Sequence, residues 1–191
     1  MTRYLKQRYF KLLTGFLIIV LSSIYRIPLQ AQYDRLQEYQ IKGAFLYNFT
    51  QFTEWPPAAF PAPDTPLVIG VLGKNPFGSF LRELVRDEIT SGHPMVFRQY
   101  TSVKDVDRAH ILFISNDFDI ADQDIQFLSA EKHILTVSDD PRFTERGGII
   151  RFFEDDNRIR FEINLQAARE SDLVLSSKLL RLSRICCGQD P

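Results

Sequence analysis

The stretch Leu67-Val68-Ile69-Gly70-Val71-Leu72-Gly73-Lys74-Asn75-Pro76 decides the fold class. Six residues run without a charged or amide side chain and then stop at a turn containing Gly, Asn and Pro. A strand that alternates apolar and polar residues leaves one face in water, whereas an unbroken run suits a strand covered on both faces, as in a parallel sheet packed between helices. Outward from this run the pattern repeats. Residues 77–89 place Phe80, Leu81, Leu84 and Val85 at helical steps, and Gly92 closes that unit. Residues 95–100 are expected as a second strand and 103–107 as a short helix. Residues 110–115, holding Ile111-Leu112-Phe113-Ile114, read as a third buried strand, 122–130 as a helix and 133–138 as a fourth strand. Strands alternating with helices imply a parallel sheet with helices on its faces. The expected class is α/β: a single three-layer domain with a mostly parallel sheet, plus a C-terminal β-hairpin and helix.

Before this unit, residues 33–54 read as one helix. Ile41, Phe45, Phe49 and Phe52 recur at three- and four-residue steps, and Glu38, Gln40, Lys42 and Gln51 fall on the other side. Trp55 closes the stripe, and Pro56-Pro57 stops the helix. After it the character changes. Residues 148–154 and 158–163 form a hairpin around Asp155-Asp156-Asn157, which are turn formers. Asn164 is placed to cap a short helix through Glu170, and Ser176 or Ser177 to cap a last one. That last helix is expected to carry Leu179, Leu180, Leu182 and Ile185 on its apolar side. No repeat, low-complexity tract or second domain is visible.

The formal net charge of −1 hides an asymmetry. Residues 1–31 carry Arg3, Lys6, Arg8, Lys11 and Arg26 and no acid, so the remainder is −6. An acidic body argues against a general electrostatic grip on nucleic acid or on an anionic membrane surface. A basic start, a short apolar stretch over 12–24 and the small residue Ala31 fit a cleaved secretory signal over 1–31, ahead of a domain over 32–191. The alternative is an uncleaved N-terminal anchor; either way the body lies outside the cytoplasm. Cys186 and Cys187 are adjacent. Neighbouring Cα atoms are about 3.8 Å apart, below the usual disulfide span, so a bond between them is strained. A link to another chain, or two unused thiols, is easier.

Motifs for chemistry are incomplete. Gly73 and Gly78 flank four residues as in a phosphate loop, but the Lys and Ser/Thr that complete it are missing. Asp117, Asp119, Asp122 and Asp124 fail the calcium-loop spacing. His93, His110 and His133 are isolated and lack zinc spacing, so hydrogen-bonded histidines are the expectation. No Gly-x-Ser-x-Gly elbow occurs. We therefore expect no catalytic residue, no cofactor and no metal. Two further readings stay open: a small-ligand site beyond the strand ends near Gly73, Ser115 and Ser138, and an enzyme in which His110, Asp139 and Asp140 meet. The unusual feature is apolar. Ile149, Ile150, Phe152 and Phe153 face Ile159, Phe161 and Ile163, so that either both hairpin faces are buried, one of them under the last helix, or one waits for a partner.

Tyr39-Gln40-Ile41-Lys42-Gly43-Ala44-Phe45-Leu46-Tyr47-Asn48-Phe49, ending at Trp55-Pro56, resembles the opening helix of the YfiR family. So does Ile69-Gly70-Val71-Leu72-Gly73. The most specific likeness is Gly147-Gly148-Ile149-Ile150-Arg151-Phe152, then Ile159-Arg160-Phe161-Glu162-Ile163-Asn164-Leu165, then Ala168-Arg169 and Ser176, Lys178, Leu179, Leu180 and Leu182. It covers nearly all of residues 38–185. The resemblance implies a periplasmic, dimeric regulator without enzyme activity. Such a protein binds the periplasmic sensor domain of an inner-membrane diguanylate cyclase and keeps it quiet, and an OmpA-like outer-membrane lipoprotein sequesters it. The output is the cyclic-di-GMP level and hence biofilm behaviour. A histidine kinase is the alternative membrane partner, served by a small-ligand-binding sensor subunit. Some members carry a disulfide across the Gly-Gly strand region; here Arg146 and Phe152-Phe153 stand there without cysteine. The expected partner-binding residues are Phe152, Phe153, Phe161, Glu162, Ile163 and Arg169, with Glu162 and Arg169 either meeting the partner or pairing with each other.

Overall fold

The structure is a computed structural model that describes residues 27–131 and 133–187. Most of the expected signal segment, residues 1–26, lies outside the described residues. The fold below is that of the unit that begins at Tyr39. Helix α1 spans Ile27–Phe52, starting earlier than the apolar spacing indicates. Among the described residues no helix is long and apolar enough to cross a membrane.

The elements then follow in order: β1 (Thr53–Glu54), a 3₁₀ turn (Pro57–Ala59), β2 (Leu67–Leu72), α2 (Phe80–Leu84), β3 (Ile89–Thr90), β4 (His93–Tyr100), a second 3₁₀ turn (Val103–Asp105), β5 (Ile111–Ile114), α3 (Asp122–Gln126) running into a π-helical turn (Phe127–Glu131), β6 (Leu135–Ser138), β7 (Ile150–Asp155), β8 (Arg158–Asn164), α4 (Leu165–Glu170), β9 (Val174–Leu175), α5 (Ser177–Leu182) and β10 (Arg184–Cys186). Eight strands form one sheet in the order β10-β8-β7-β6-β5-β2-β4-β3. From β4 to β7 the pairings are parallel. β7 and β8 form the antiparallel hairpin, and β10 returns parallel to β8 at the edge. β1 and β9 make a separate two-stranded ribbon.

Alternation along each strand splits the core into two layers. Leu67, Ile69 and Val71 of β2, Ile111 and Phe113 of β5, Leu135 and Val137 of β6, and Ile150 and Phe152 of β7 face the layer that holds Leu46 and Phe49 of α1 and Leu81 of α2. Leu72, Leu112 and Ile114 face the opposite layer, with Ile125 and Leu128 from α3 and its π-helical turn. The sheet lies between helices, as the unbroken apolar runs require.

Several boundaries differ from the sequence reading. The 77–89 segment is helical over Phe80–Leu84 alone, with Gly78 at φ 58° and Asp87 at φ 61° turning the chain on either side. Lys42, placed on the polar side of α1 by spacing, is buried, and Ile41, placed in the stripe, is 43% exposed. The buried line runs through Lys42, Leu46 and Phe49 because Gly43 admits the ring of Phe80, which would lie 3.0 Å from a Cβ there. Ile185 belongs to β10 rather than to the last helix, since Ser183 already has extended geometry. The hairpin turn is Asp156-Asn157, with φ 49° and 57°, so Asp155 stays in β7. Two positive φ angles define the tight turn whose twist matches a right-twisted hairpin. Both expected caps are in place: the Asn164 side chain accepts from the Ala167 amide, and the Ser176 side chain from that of Leu179.

Candidate functional site

The hairpin has one face inside and one outside. Cross-strand pairs Ile150↔Ile163 and Phe152↔Phe161 point inward. Helix α1 covers them: Phe49 lies 5.2 Å from Phe161 and 6.0 Å from Phe152 between ring centroids, and Phe45 lies 5.4 Å from Phe161. Edge-on and offset ring pairs at such spacings add attraction beyond buried area. The dense Phe run is thus explained on one side by packing under the first helix, in a core to which the last helix adds Leu179.

Pleating sends the alternate pairs, Arg151↔Glu162 and Phe153↔Arg160, to the outward face. Strand β10 adds Arg184 directly beside Glu162. At the centre, Glu162 Oε1 accepts from Arg151 Nε at 2.8 Å and from Thr144 Oγ1 at 2.6 Å. These contacts hold the carboxyl below its ordinary range: the Arg151 hydrogen bond is the largest influence, burial opposes it, and Thr144 and the charges of Arg151 and Arg184 assist it. The same bond raises the Arg151 guanidinium. Phe153 is half-buried, with the guanidinium carbon of Arg184 4.3 Å and that of Arg151 5.2 Å from its ring centroid. A cation over an aromatic face at these distances contributes about 0.5–1 kcal/mol where solvent reaches it. The outcome is an ordered aromatic ring flanked by cations, with the side chains of Arg160 and Arg184 exposed.

The six residues expected from sequence therefore separate. Phe152, Phe161 and Ile163 are 1%, 2% and 0% exposed and belong to the core. Phe153 and Glu162 lie on the face opposite the α1 layer, Phe153 half-buried and Glu162 7% exposed. Arg169 is exposed on α4, and the ion partner of Glu162 is Arg151. Sequence reasoning missed Arg151, Arg184 and Thr144. The period-two pattern already placed Arg151 on the face of Phe153, but Arg184 and Thr144 arrive through β10 and a loop, which no local pattern reveals.

The other candidate groups do not converge on a reaction centre. His110 precedes β5 and Asp139 follows β6, and these strands are parallel and in register. The two lie at opposite ends of these strands, roughly 17 Å apart along them. His110 accepts from the Val68 amide through Nδ1 at 3.0 Å and reaches the Ala59 carbonyl through Nε2 at 3.2 Å. His93 and His133 likewise meet backbone carbonyls, those of Thr65 and Ser171. At the carboxyl ends of the strands, a Cβ on Gly73, which has φ +90°, would fall 2.9 Å from Phe118 Cβ. Arg146 there bridges Asp122 at 2.6 Å and Asp140 at 2.8 Å and also donates to the Ile120 carbonyl. Among the described residues no group of three or more His, Cys, Asp or Glu is arranged to hold a metal ion.

A family model described as YfiR/HmsC-like matches residues 39–184, the whole sheet apart from the last two residues of β10. The chain belongs to the YfiR/HmsC-like family. No curated protein matches it. YfiR/HmsC-like proteins form a regulatory rather than a catalytic family.

Proposed function

We propose that this YfiR/HmsC-like protein is an exported regulator that docks the outward face of β7, β8 and β10 onto the periplasmic sensor domain of an inner-membrane signalling protein, with a diguanylate cyclase as the preferred target. The observation that carries the reading is Phe153, held between Arg151 and Arg184 on a face where Arg160 and Arg184 point to solvent. Aromatic and Arg side chains dominate the energy of protein interfaces. A cationic face on a body of net charge −6 selects an acidic partner surface. Phe152, Phe161 and Ile163 support this face from below, while Glu162 sets the position of Arg151. Arg169 would extend the contact. Repression would work as a population shift: the protein binds the quiet state of the sensor better than the active one, and cyclic-di-GMP output falls. An OmpA-like lipoprotein competing for the same face would relieve it, and a second copy of the chain would present two such faces.

The test is Phe153→Asp, with Arg184→Glu as its companion. Both variants are expected to keep the thermal midpoint of the parent within a few degrees. Capture of purified periplasmic domains from membrane cyclases and histidine kinases of the same genome should weaken at least about 10-fold. A folded Phe153→Asp protein that captures its target as well as the parent does would remove this face from the contact. Capture of a kinase domain alone would redirect the proposal away from the cyclase.

A further inference from the structure

The two cysteines end the edge strand. Cys186 is the last residue of β10, paired with Asn164 of β8, and is partly buried; Cys187 is exposed. In an uninterrupted strand, neighbouring side chains point to opposite faces. Here the chain leaves the strand with Cys187 at φ 52°, in the left-handed region that a residue with a Cβ seldom adopts. That rotation brings the second side chain back beside the first. The Cys187 Sγ stands 3.1 Å from Cys186 Sγ, and 3.9 Å from the Thr144 carbonyl oxygen. Two thiols this close need only a small further approach to reach the bonded distance of about 2.05 Å.

We propose that Cys186 and Cys187 are a thiol–disulfide exchange site that cycles between a dithiol and a vicinal disulfide. This rests on the sulfur geometry and not on the docking reading above. The oxidant is a disulfide, either small or carried by a protein. The exposed Cys187, as thiolate, attacks one sulfur of that disulfide and expels the first thiolate. Cys186, as thiolate, then attacks the Cys187 sulfur of the mixed disulfide and expels the second. Two electrons pass from the cysteine pair to the oxidant, and the two thiol protons end on the two released thiols. Burial pushes the Cys186 thiol up to about 12, the neighbouring Cys187 adding to it. The exposed sulfur therefore leads, and Cys186 closes the bond. Because Cα atoms of adjacent residues are closer than the usual disulfide span, the product is strained. Strained and exposed disulfides have the more oxidising potentials and are the labile ones. The site suits reversible exchange rather than a permanent staple.

The chain has two cysteines in all, which makes the test unambiguous. The reduced full-length protein is equilibrated with mixtures of reduced and oxidised glutathione, trapped with iodoacetamide and weighed intact. The expected product is a monomer that loses both alkylation sites, weighs two hydrogens less, carries no glutathione and returns to the dithiol with dithiothreitol. Phenylarsine oxide, which bridges two neighbouring thiols, should add once to the reduced chain and not to the oxidised one. Cys186→Ser and Cys187→Ser should each give a glutathione adduct or a linked dimer in place of the closed monomer. Thiols that stay fully alkylatable at every ratio overturn the proposal. So does a parent chain that yields only glutathione adducts or linked dimers.

Discussion

Lys42 shows what a single residue contributes when spacing alone misplaces it. Its ammonium lies 2.7 Å from Asp139 Oδ2, with the two side chains 4% and 8% exposed. The Tyr39 hydroxyl donates to the same oxygen at 2.8 Å, and the ammonium stands 4.5 Å from the Tyr39 ring centroid. The group ties α1 to the end of β6. A buried pair of this kind adds little net stability compared with well-packed apolar residues, but removing one partner strands the other charge. Asp139→Asn or Lys42→Met alone is therefore expected to cost about 3–5 kcal/mol in urea unfolding. Lys42→Met combined with Asp139→Leu should recover a large part of that loss. If the double change costs as much as the two single changes added together, the residues are not energetically coupled.

At the scale of elements, what was legible in the sequence is what local physics dictates. The unbroken apolar runs of β2 and β5 gave their burial on both faces, and Asn164 and Ser176 marked their helices by capping chemistry. Asp156-Asn157 marked the hairpin turn because both tolerate positive φ. What was not legible depends on partners distant in sequence. Leu182 and Ile185 are three apart and read as one helical face, yet the chain changes to β10 between them because an open position beside β8 accepts it. The outward cluster was half legible: Phe153 and Glu162 were singled out, but their cationic neighbours come from strand register, and Phe152, Phe161 and Ile163 could be assigned to the core only once α1 was seen to cover them. The Gly147-Gly148 pair before β7 illustrates the same dependence. A Cβ on Gly148 would lie 2.2 Å from Phe143 Cε1, and Phe143 is 1% exposed, so the ring has nowhere to go. Gly148→Ala should destabilise by about 1–3 kcal/mol or more through overpacking. The same change in a Phe143→Leu background should cost less. Equal costs in both backgrounds, measured by chemical denaturation, would exclude this contact as the cause.

For the whole molecule, a loss of stability in mild acid is expected from His110, which stands where the proline-rich segment crosses the start of β5. Its ring stacks on Phe60 at 4.4 Å, and His93 stacks on the other side of Phe60 at 3.9 Å. With Nδ1 accepting from Val68 and Nε2–H donating to Ala59, both nitrogens are satisfied in the neutral ring. A second proton would set an N–H against the Val68 N–H. Burial is the largest influence, and it pushes the folded-state value from 6.5 down to about 4. The sign follows from proton uptake. Above pH 6.5 the ring is neutral in folded and unfolded chains alike, and it contributes nothing to the pH dependence. Between 6.5 and 4 the unfolded chain binds a proton that the folded chain refuses, so stability falls as pH falls, and it levels off below the folded value. The carboxylates behave differently in range. Glu162 and Asp140 have folded values held below their ordinary 4.5 and 3.8, so their contribution is complete above those values and is lost only as the pH falls further. Most of the interval from pH 7 to 4.5 lies above that carboxylate loss, and His110 is expected to contribute a loss of about 2.5 kcal/mol across it. Urea midpoints measured across that interval should show the loss in the parent and a much flatter profile in His110→Gln, whose amide offers one acceptor and one donor without titrating. A parent whose stability is constant from pH 7 to 4.5, or a His110→Gln profile as steep as the parent's, would place the acid response elsewhere in the molecule.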